Sequence, residues 1–240
     1  MFYGYGILSN HTPTLKATLM SGSASTLNTD LVAVYKAESN ANDSLGAYNG
    51  TAQGGLTYGA SASGNGFVFN GTNAYVSIAN NSFNFASEFT IAFDLKIQGA
   101  GADDQAVFGN WIYTAPNGFG WFVEVLNSQL NLYIMNGTSD LNPILQCSYT
   151  HYGTNKRCVI VQKTTGKEIW INGVLVASNS STRVPVYTTT HYPTIGVSRY
   201  AVASYAYYMK NTGMSDEFYL WNRAITSTEI AELNTKYYPF

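Results

Sequence analysis

Apolar and polar positions alternate along most of this chain with the two-residue period of a half-buried strand. The cleanest case is FTIAFDLKI, residues 89–97. Phe89, Ile91, Phe93, Leu95 and Ile97 fall on one face, and Thr90, Asp94 and Lys96 on the other. Similar runs recur from residue 31 onward, separated by turn signals every 8–15 residues. FVFNGTNAYVSI (67–78) reads as two strands around Asn70-Gly71, and CVIVQKTTGKEIWINGVLVAS (158–178) as three strands joined at Thr165-Gly166 and Asn172-Gly173. Asn-Gly favours a tight hairpin because a type I′ turn needs positive φ at both central residues. Many short, evenly spaced strands without an internal repeat predict an all-β chain folded as one two-sheet antiparallel jelly-roll sandwich.

Both ends of the chain depart from that pattern. Residues 1–30 contain FYGYGI and then SGSASTLNTD, small residues with no periodic apolar face, which read as an N-terminal arm or linker before a domain at 31–240. Near the other end, SDEFYLWNRAITSTEIAEL (215–233) is a strand-like apolar burst followed by a helix signal. Thr226 and Glu229 have the spacing of a capping box, and Ile230, Leu233 and Tyr237 fall on one helical stripe. The expectation is one short C-terminal helix plugging an open end of the sandwich.

Composition narrows the partners. Of 240 residues 45% are hydrophobic and only 11% charged, well under the roughly 25% of ordinary domains. Polarity comes from Asn, Ser, Thr and 19 tyrosines. A net charge of −2 without a basic stripe argues against nucleic acid, and no apolar run approaches the roughly 20 residues of a membrane span. Cys147 and Cys158 fit either a cross-strand bridge or two small buried hydrophobes, and their spacing matches no zinc pattern.

Several stretches in order carry a resemblance: LVAVYKAESNANDSLGAYNGTAQGGLTY (31–58), FVFNGTNAYVSIA (67–79), EFTIAFDLKI (88–97), GKEIWINGVLVAS (166–178), TIG (194–196) and GMSDEFYLWNRAITSTEIAEL (213–233). Together they resemble the laminin-G-like, concanavalin A-like jelly-roll domains, in the branch close to pentraxins. The resemblance implies two curved antiparallel sheets, a concave face and often a structural Ca²⁺. That ion would sit where the NANDSLG loop meets the closing Asp-Glu, with Asp43 and Asp216 as oxygen donors and Asn70 helping to fill the shell. Ala74 stands where related sequences often carry Asp, and the alternative is that Asp43 and Asp216 cap turns.

The fold hosts lectins, adhesion modules, virion parts and glycanases, so function must be argued from residues. Glycanases need paired carboxylates flanking the scissile bond. No Glu-x-Asp-x-x-Glu pattern occurs; Glu124 and Glu168 are isolated, Asp103-Asp104 are adjacent, and His11, His151 and His191 are scattered. No nucleophile elbow, phosphate loop or dinucleotide fingerprint is present. The reading is a non-catalytic, lectin-like carbohydrate-binding domain.

Sugars stack their C–H faces on aromatic rings while polar side chains satisfy the hydroxyls. Two aromatic stretches offer such rings: Trp111, Tyr113, Phe119 and Trp121 in NWIYTAPNGFGWF, and Tyr200, Tyr205, Tyr207 and Tyr208 in SRYAVASYAYYMKN. The same rings suit core packing or a protein interface. The opening residues lack the pattern of a signal peptide. With the small-residue arm, this leads to the expectation of a bacteriophage virion protein that displays the domain toward host-surface glycans and docks on the particle through residues 1–30. A purely structural virion protein contacting neighbouring or identical subunits, and a secreted bacterial adhesion module, are the alternatives.

Overall fold

The computed structural model describes residues 25–98, 105–188, 190–201, 204–209 and 213–240, with the side chains of 199–201, 204–207 and 214 excepted. In chain order the strands begin with β1 (Leu31–Tyr35), β2 (Thr51–Gln53), β3 (Thr57–Ala60), β4 (Asn65–Val68), β5 (Tyr75–Ser77) and β6 (Phe89–Lys96). There follow β7 (Gln105–Thr114), β8 (Asn117–Leu126), β9 (Gln129–Asn136), β10 (Leu145–Ser148), β11 (Lys156–Lys163) and β12 (Gly166–Ile171). The last are β13 (Val174–Asn179), β14 (Thr194–Ile195), β15 (Val197–Ala201), β16 (Ser204–Tyr208) and β17 (Met214–Trp221), before the helix α1 (Ser227–Leu233).

Among the described residues the first sheet runs β13-β12-β11-β6-β17-β4-β3, with β1 also on β17. The second runs β10-β9-β8-β7-β14-β5-β2, and β15-β16 form a small hairpin sheet that packs against β7. The result is the expected all-β antiparallel sandwich with one short C-terminal helix. The strands around Asn70-Gly71 are not a hairpin: β4 belongs to the first sheet and β5 to the second, so this loop crosses between layers. The Asn172-Gly173 turn does join neighbouring strands, with φ of 50° and 76°.

The alternation explains the core. Phe89, Ile91, Phe93, Leu95 and Ile97 are all fully buried between the sheets. Phe108 and Trp121 face them from the second sheet, with Phe108 edge-on to Phe218 at 5.6 Å and Trp121 5.4 Å from Phe89. Cys147 and Cys158 lie in this core as free thiols, one from each sheet.

The other face of β6 is buried too, which alternation alone does not predict. Ala92, Val159, Val161, Tyr219 and Trp221 form a second apolar layer against Ile225, Ile230 and Leu233. Thus α1 covers the outer face of the first sheet; it does not plug an end. The capping box is present, Thr226 Oγ1 accepting from Glu229 N while Glu229 accepts from Thr226 N at 2.7 Å. At the far end Arg157 Nη1 donates to Leu233 O at 2.7 Å, satisfying a terminal helix carbonyl. The helix stops at Leu233, so Tyr237 lies beyond the expected stripe.

Residues 25–30 are packed onto the domain. Leu27 is fully buried in the same layer, its carbonyl accepts from Trp221 Nε1 at 2.6 Å, and Arg223 donates to Thr29 O and Thr26 O. The packed unit therefore starts upstream of Leu31, while residues 1–24 of the expected arm lie outside the described residues.

Candidate functional site

Among the described side chains, the expected aromatic residues of NWIYTAPNGFGWF divide between the two faces of the second sheet. Strand alternation sends Trp111 and Tyr113 to the outward face of the second sheet, and Phe119 and Trp121 to the inward one. Trp111 is buried, stacked on Phe122 at 4.5 Å, which in turn stacks on Tyr133 at 4.1 Å; half-buried Tyr113 packs beside them. Phe119 is half-buried. Trp121 is fully excluded from solvent, so it offers no face to a sugar. Tyr200, Tyr205 and Tyr207 sit on the β15-β16 hairpin with side chains outside the described residues. Half-buried Tyr208 packs 6.3 Å from Tyr75.

The three residues expected to ligate Ca²⁺ have other partners. Asp43 accepts four backbone N–H groups, from Val34 and Leu45 on Oδ1 and from Ala47 and Tyr48 on Oδ2. Asn70 Oδ1 accepts from the backbone of Thr72, Asn73 and Ala74. Both side chains organise their own loops, and a cation would have to displace those donors. Asp216 is buried within β17 beside Ser61, with Oδ1 accepting from Glu217 N. Among the described residues no group of three or more His, Cys, Asp or Glu is placed to hold a metal ion. These residues do not fit the implied calcium.

A pocket of about 330 Å³ opens where β1, the loop before β6 and the end of β17 meet. Val32, Tyr48, Phe83 and Phe85 form its apolar wall, and Asn81, Asn84 and Asn222 add three side-chain amides. Tyr48 and Phe83 are 5.0 Å apart and tilted. Asn81 and Phe83 both hold φ of 62°. Asn tolerates the left-handed region, whereas Phe there costs roughly 1–3 kcal/mol and needs surrounding structure to hold it.

Buried donors and ring packing supply that structure. Trp121 Nε1 and Asn110 Nδ2 donate to Phe83 O at 3.3 and 3.1 Å, and Asn110 Nδ2 also donates to Asn84 Oδ1 at 2.9 Å. The Phe83 ring packs on Phe85 and, edge-on, on Phe108. Asn81 is tied from the far side by His191, whose N–H donates to Asn81 Oδ1 at 2.8 Å and whose carbonyl accepts from Asn81 N. Burial pushes the fully buried His191 imidazole below its ordinary pKa. Trp121 and His191 thus support the pocket without lining it. The exposed Asn222 side chain has no partner among the described residues, and Asn84 is exposed at the rim.

The sequence reading missed this pocket. Its lining comes from four separated stretches, and only SFNF (82–85), an aromatic pair around an Asn after the NN dipeptide, marks it locally.

A family model for the concanavalin A-like lectin/glucanases superfamily matches residues 70–231, more than half of the chain. The chain belongs to the concanavalin A-like lectin/glucanase superfamily. Among curated proteins no relative matches this superfamily member. Solved structures do. The binding domain of botulinum neurotoxin DC, in complex with SialylT, is similar at a TM-score of 0.67 and 14% identity over 87% of this chain and 52% of that one. Domain 4 of AbnA, a GH43 extracellular arabinanase from Geobacillus stearothermophilus, in complex with arabinotriose, is similar at 0.61 and 16% over 86% of this chain and 98% of that one. The receptor-binding domain of botulinum neurotoxin C/D mosaic serotype matches at 0.67 and 11%, over 85% of this chain and 51% of that one. The chain spans about half the length of the toxin domains. At these identities the likeness is one of fold. Among the described residues no helix is long and apolar enough to cross a membrane.

Proposed function

We propose that this superfamily member is a non-catalytic glycan-binding domain and that the Tyr48–Phe83 pocket is its site. The observation that carries the reading is the pairing of an aromatic wall with three asparagine amides in a pocket at the lower end of ligand-site volumes. Half-buried Tyr48 is the ring available to the C–H face of a sugar, with the buried Phe83 and Phe85 rings backing it, and amides both donate to and accept from hydroxyls. No Asp or Glu is among the lining residues, so the pocket offers no carboxylate pair for glycoside hydrolysis. Relatives of the same fold solved with arabinotriose and SialylT add support.

A glycan array spanning bacterial surface polysaccharides and arabino-oligosaccharides tests this. Saturable binding is expected, weakened about threefold to tenfold by Asn84→Ala or Asn222→Ala, as loss of one neutral hydrogen bond worth about 0.7–1.4 kcal/mol predicts. Silence from folded protein, or variants that bind like the parent, sinks the assignment.

The setting we propose is a bacteriophage particle, with the domain turned toward host-surface glycans. The small-residue composition of the arm and the low charge support this. Mass spectrometry of purified particles tests it: absence of the chain overturns the setting, and presence with a silent array favours a structural subunit.

A further inference from the structure

We infer that the protein carries a second sugar-binding pocket on the outer face of the first sheet, and so engages neutral glycans at two places on one chain. The inference rests on the glycan-binding reading above but on none of its residues.

A cavity of about 250 Å³ lies beside the C-terminal end of α1. Its floor is the Asp94–Arg157 pair, and Asn155, Asn172, Asn234 and Tyr237 line it. The floor is electrically spent. Arg157 Nε and Nη2 clamp the two Asp94 oxygens at 2.5 and 2.9 Å, and Nη1 donates to Leu233 O at 2.7 Å and Lys236 O at 3.3 Å. With the Asp94 and Arg157 charges paired and four of the five guanidinium N–H groups engaged, the pair itself gives little preference for an anion or a cation. The nearby Asp216 and Glu217 carboxyls weigh against an anion.

What remains available is amide chemistry. Asn172 Oδ1 is taken by Arg157 N at 3.0 Å, leaving its NH₂ to donate. The side chains of Asn155 and Asn234 have no partner among the described residues. Tyr237 stands with its ring 4.8 Å from Arg157 Cζ, steadied on that side by a cation–π contact, and is 39% exposed. A partly open ring beside three amides over a charge-paired floor suits a small polyhydroxylated ligand, a neutral pyranose or furanose. Asn172 is held in a tight turn, and Asn234 approaches that turn closely enough that a Cβ at Gly173 would touch it at 3.4 Å.

The two pockets are separate. The first adjoins Asn222, next to Trp221, which pairs with Thr90 near the start of β6; the second contains Asp94, four residues further along that strand, about 13 Å away. Two weak sites on one rigid body gain avidity on a repeating polysaccharide without further contacts.

The test is amide NMR on the full chain with assigned Asn side-chain NH₂ signals, titrated with L-arabinose, D-galactose and N-acetyl-D-glucosamine. Saturable shifts are expected at two groups, Asn84 and Asn222, and Asn155, Asn172 and Asn234. Asn234→Ala and, separately, Tyr237→Ala should lower affinity at the second group at least threefold and leave the first unchanged. Shifts confined to Asn84 and Asn222 overturn the second pocket while the glycan-binding reading stands. Shifts confined to the second group keep this pocket and remove the first. Silence at both groups with all three sugars overturns both assignments.

Discussion

Two acidic side chains thirteen residues apart, Asp216 and Glu229, are both buried in this protein and behave in opposite ways. Glu229 accepts from both Nη atoms of Arg223, from Thr26 Oγ1, and from Thr226 N and Oγ1. The Arg223 hydrogen bonds, more than any other cause, pull its pKa down to about 2. Asp216 accepts from Glu217 N on Oδ1, and its buried Oδ2 meets no full hydrogen-bond geometry among the described residues, although the nearby Ser61 hydroxyl still favours the charged form. Burial first, and then the neighbouring Glu217 charge, push its pKa up to about 8. Burial by itself opposes ionisation; the number of donors facing the carboxylate decides which form survives. In this chain the Asn-Arg-Ala-Ile-Thr-x-x-Glu segment is a lock that joins α1 to residues 26–29, whereas burial raises the pKa of both carboxyls in the Asp-Glu pair before it.

The largest effect should come from breaking the lock. Glu229→Ala leaves the Arg223 guanidinium half-buried without its carboxylate, and a loss of roughly 3–5 kcal/mol is expected in urea unfolding. A loss under about 1 kcal/mol would mean that the lock contributes little.

Next in size is the pH response, whose two limbs report the two carboxylates separately. Glu229 has a lowered pKa in the folded state. Its stabilisation is therefore present above the unfolded value near 4.5 and lost as pH falls toward 2. Asp216 has a raised pKa, so stability is fullest below its unfolded value near 3.8 and declines as pH rises through about 8, by up to about 1.4 kcal/mol per pH unit. Asp216→Asn should flatten that second limb and leave the variant more stable than the parent at pH 8. A parallel pair of stability curves would show that Asp216 is already ionised.

The smallest effect carries the same logic to the first pocket. Trp121→Phe keeps a ring in the core but removes the donor to Phe83 O. A cost of roughly 1–2 kcal/mol is expected from the smaller ring and the loss of one of the two donors to Phe83 O, which keeps Asn110 Nδ2. Sugar affinity should fall several-fold as the left-handed Phe83 relaxes, and unchanged affinity would show that the pocket loop holds itself.

Part of this was readable from single residues. The alternation at 89–97 names the buried core face of β6, Thr226 and Glu229 name the cap, and Asn172-Gly173 names a hairpin. Each depends on neighbours within a few positions, where backbone geometry and sequence are directly coupled. The aromatic residues were a different matter. Trp111 and Trp121 look equivalent as letters, yet they lie on opposite faces of the second sheet, on β7 and β8 respectively, and the deep burial of Trp121 follows from the first sheet packing over it. Asp43 and Asn70 have the oxygen atoms a cation needs, but their loops close around them and fill those oxygens with backbone N–H groups. The two pockets use Asn, Tyr and Phe residues from distant strands, so no local spacing announces them.

The sequence by itself determined the fold class, the strand and helix signals and the layer that each alternating residue can enter, because period and turn chemistry act within a few residues. Only the tertiary structure decided that α1 covers the first sheet, that Asp94 is buried against Arg157, and that asparagines at 84 and 222, or at 155, 172 and 234, share a cavity. Those outcomes depend on which surfaces meet across sequence separations of tens to hundreds of residues, and on which polar groups find donors once water has been excluded.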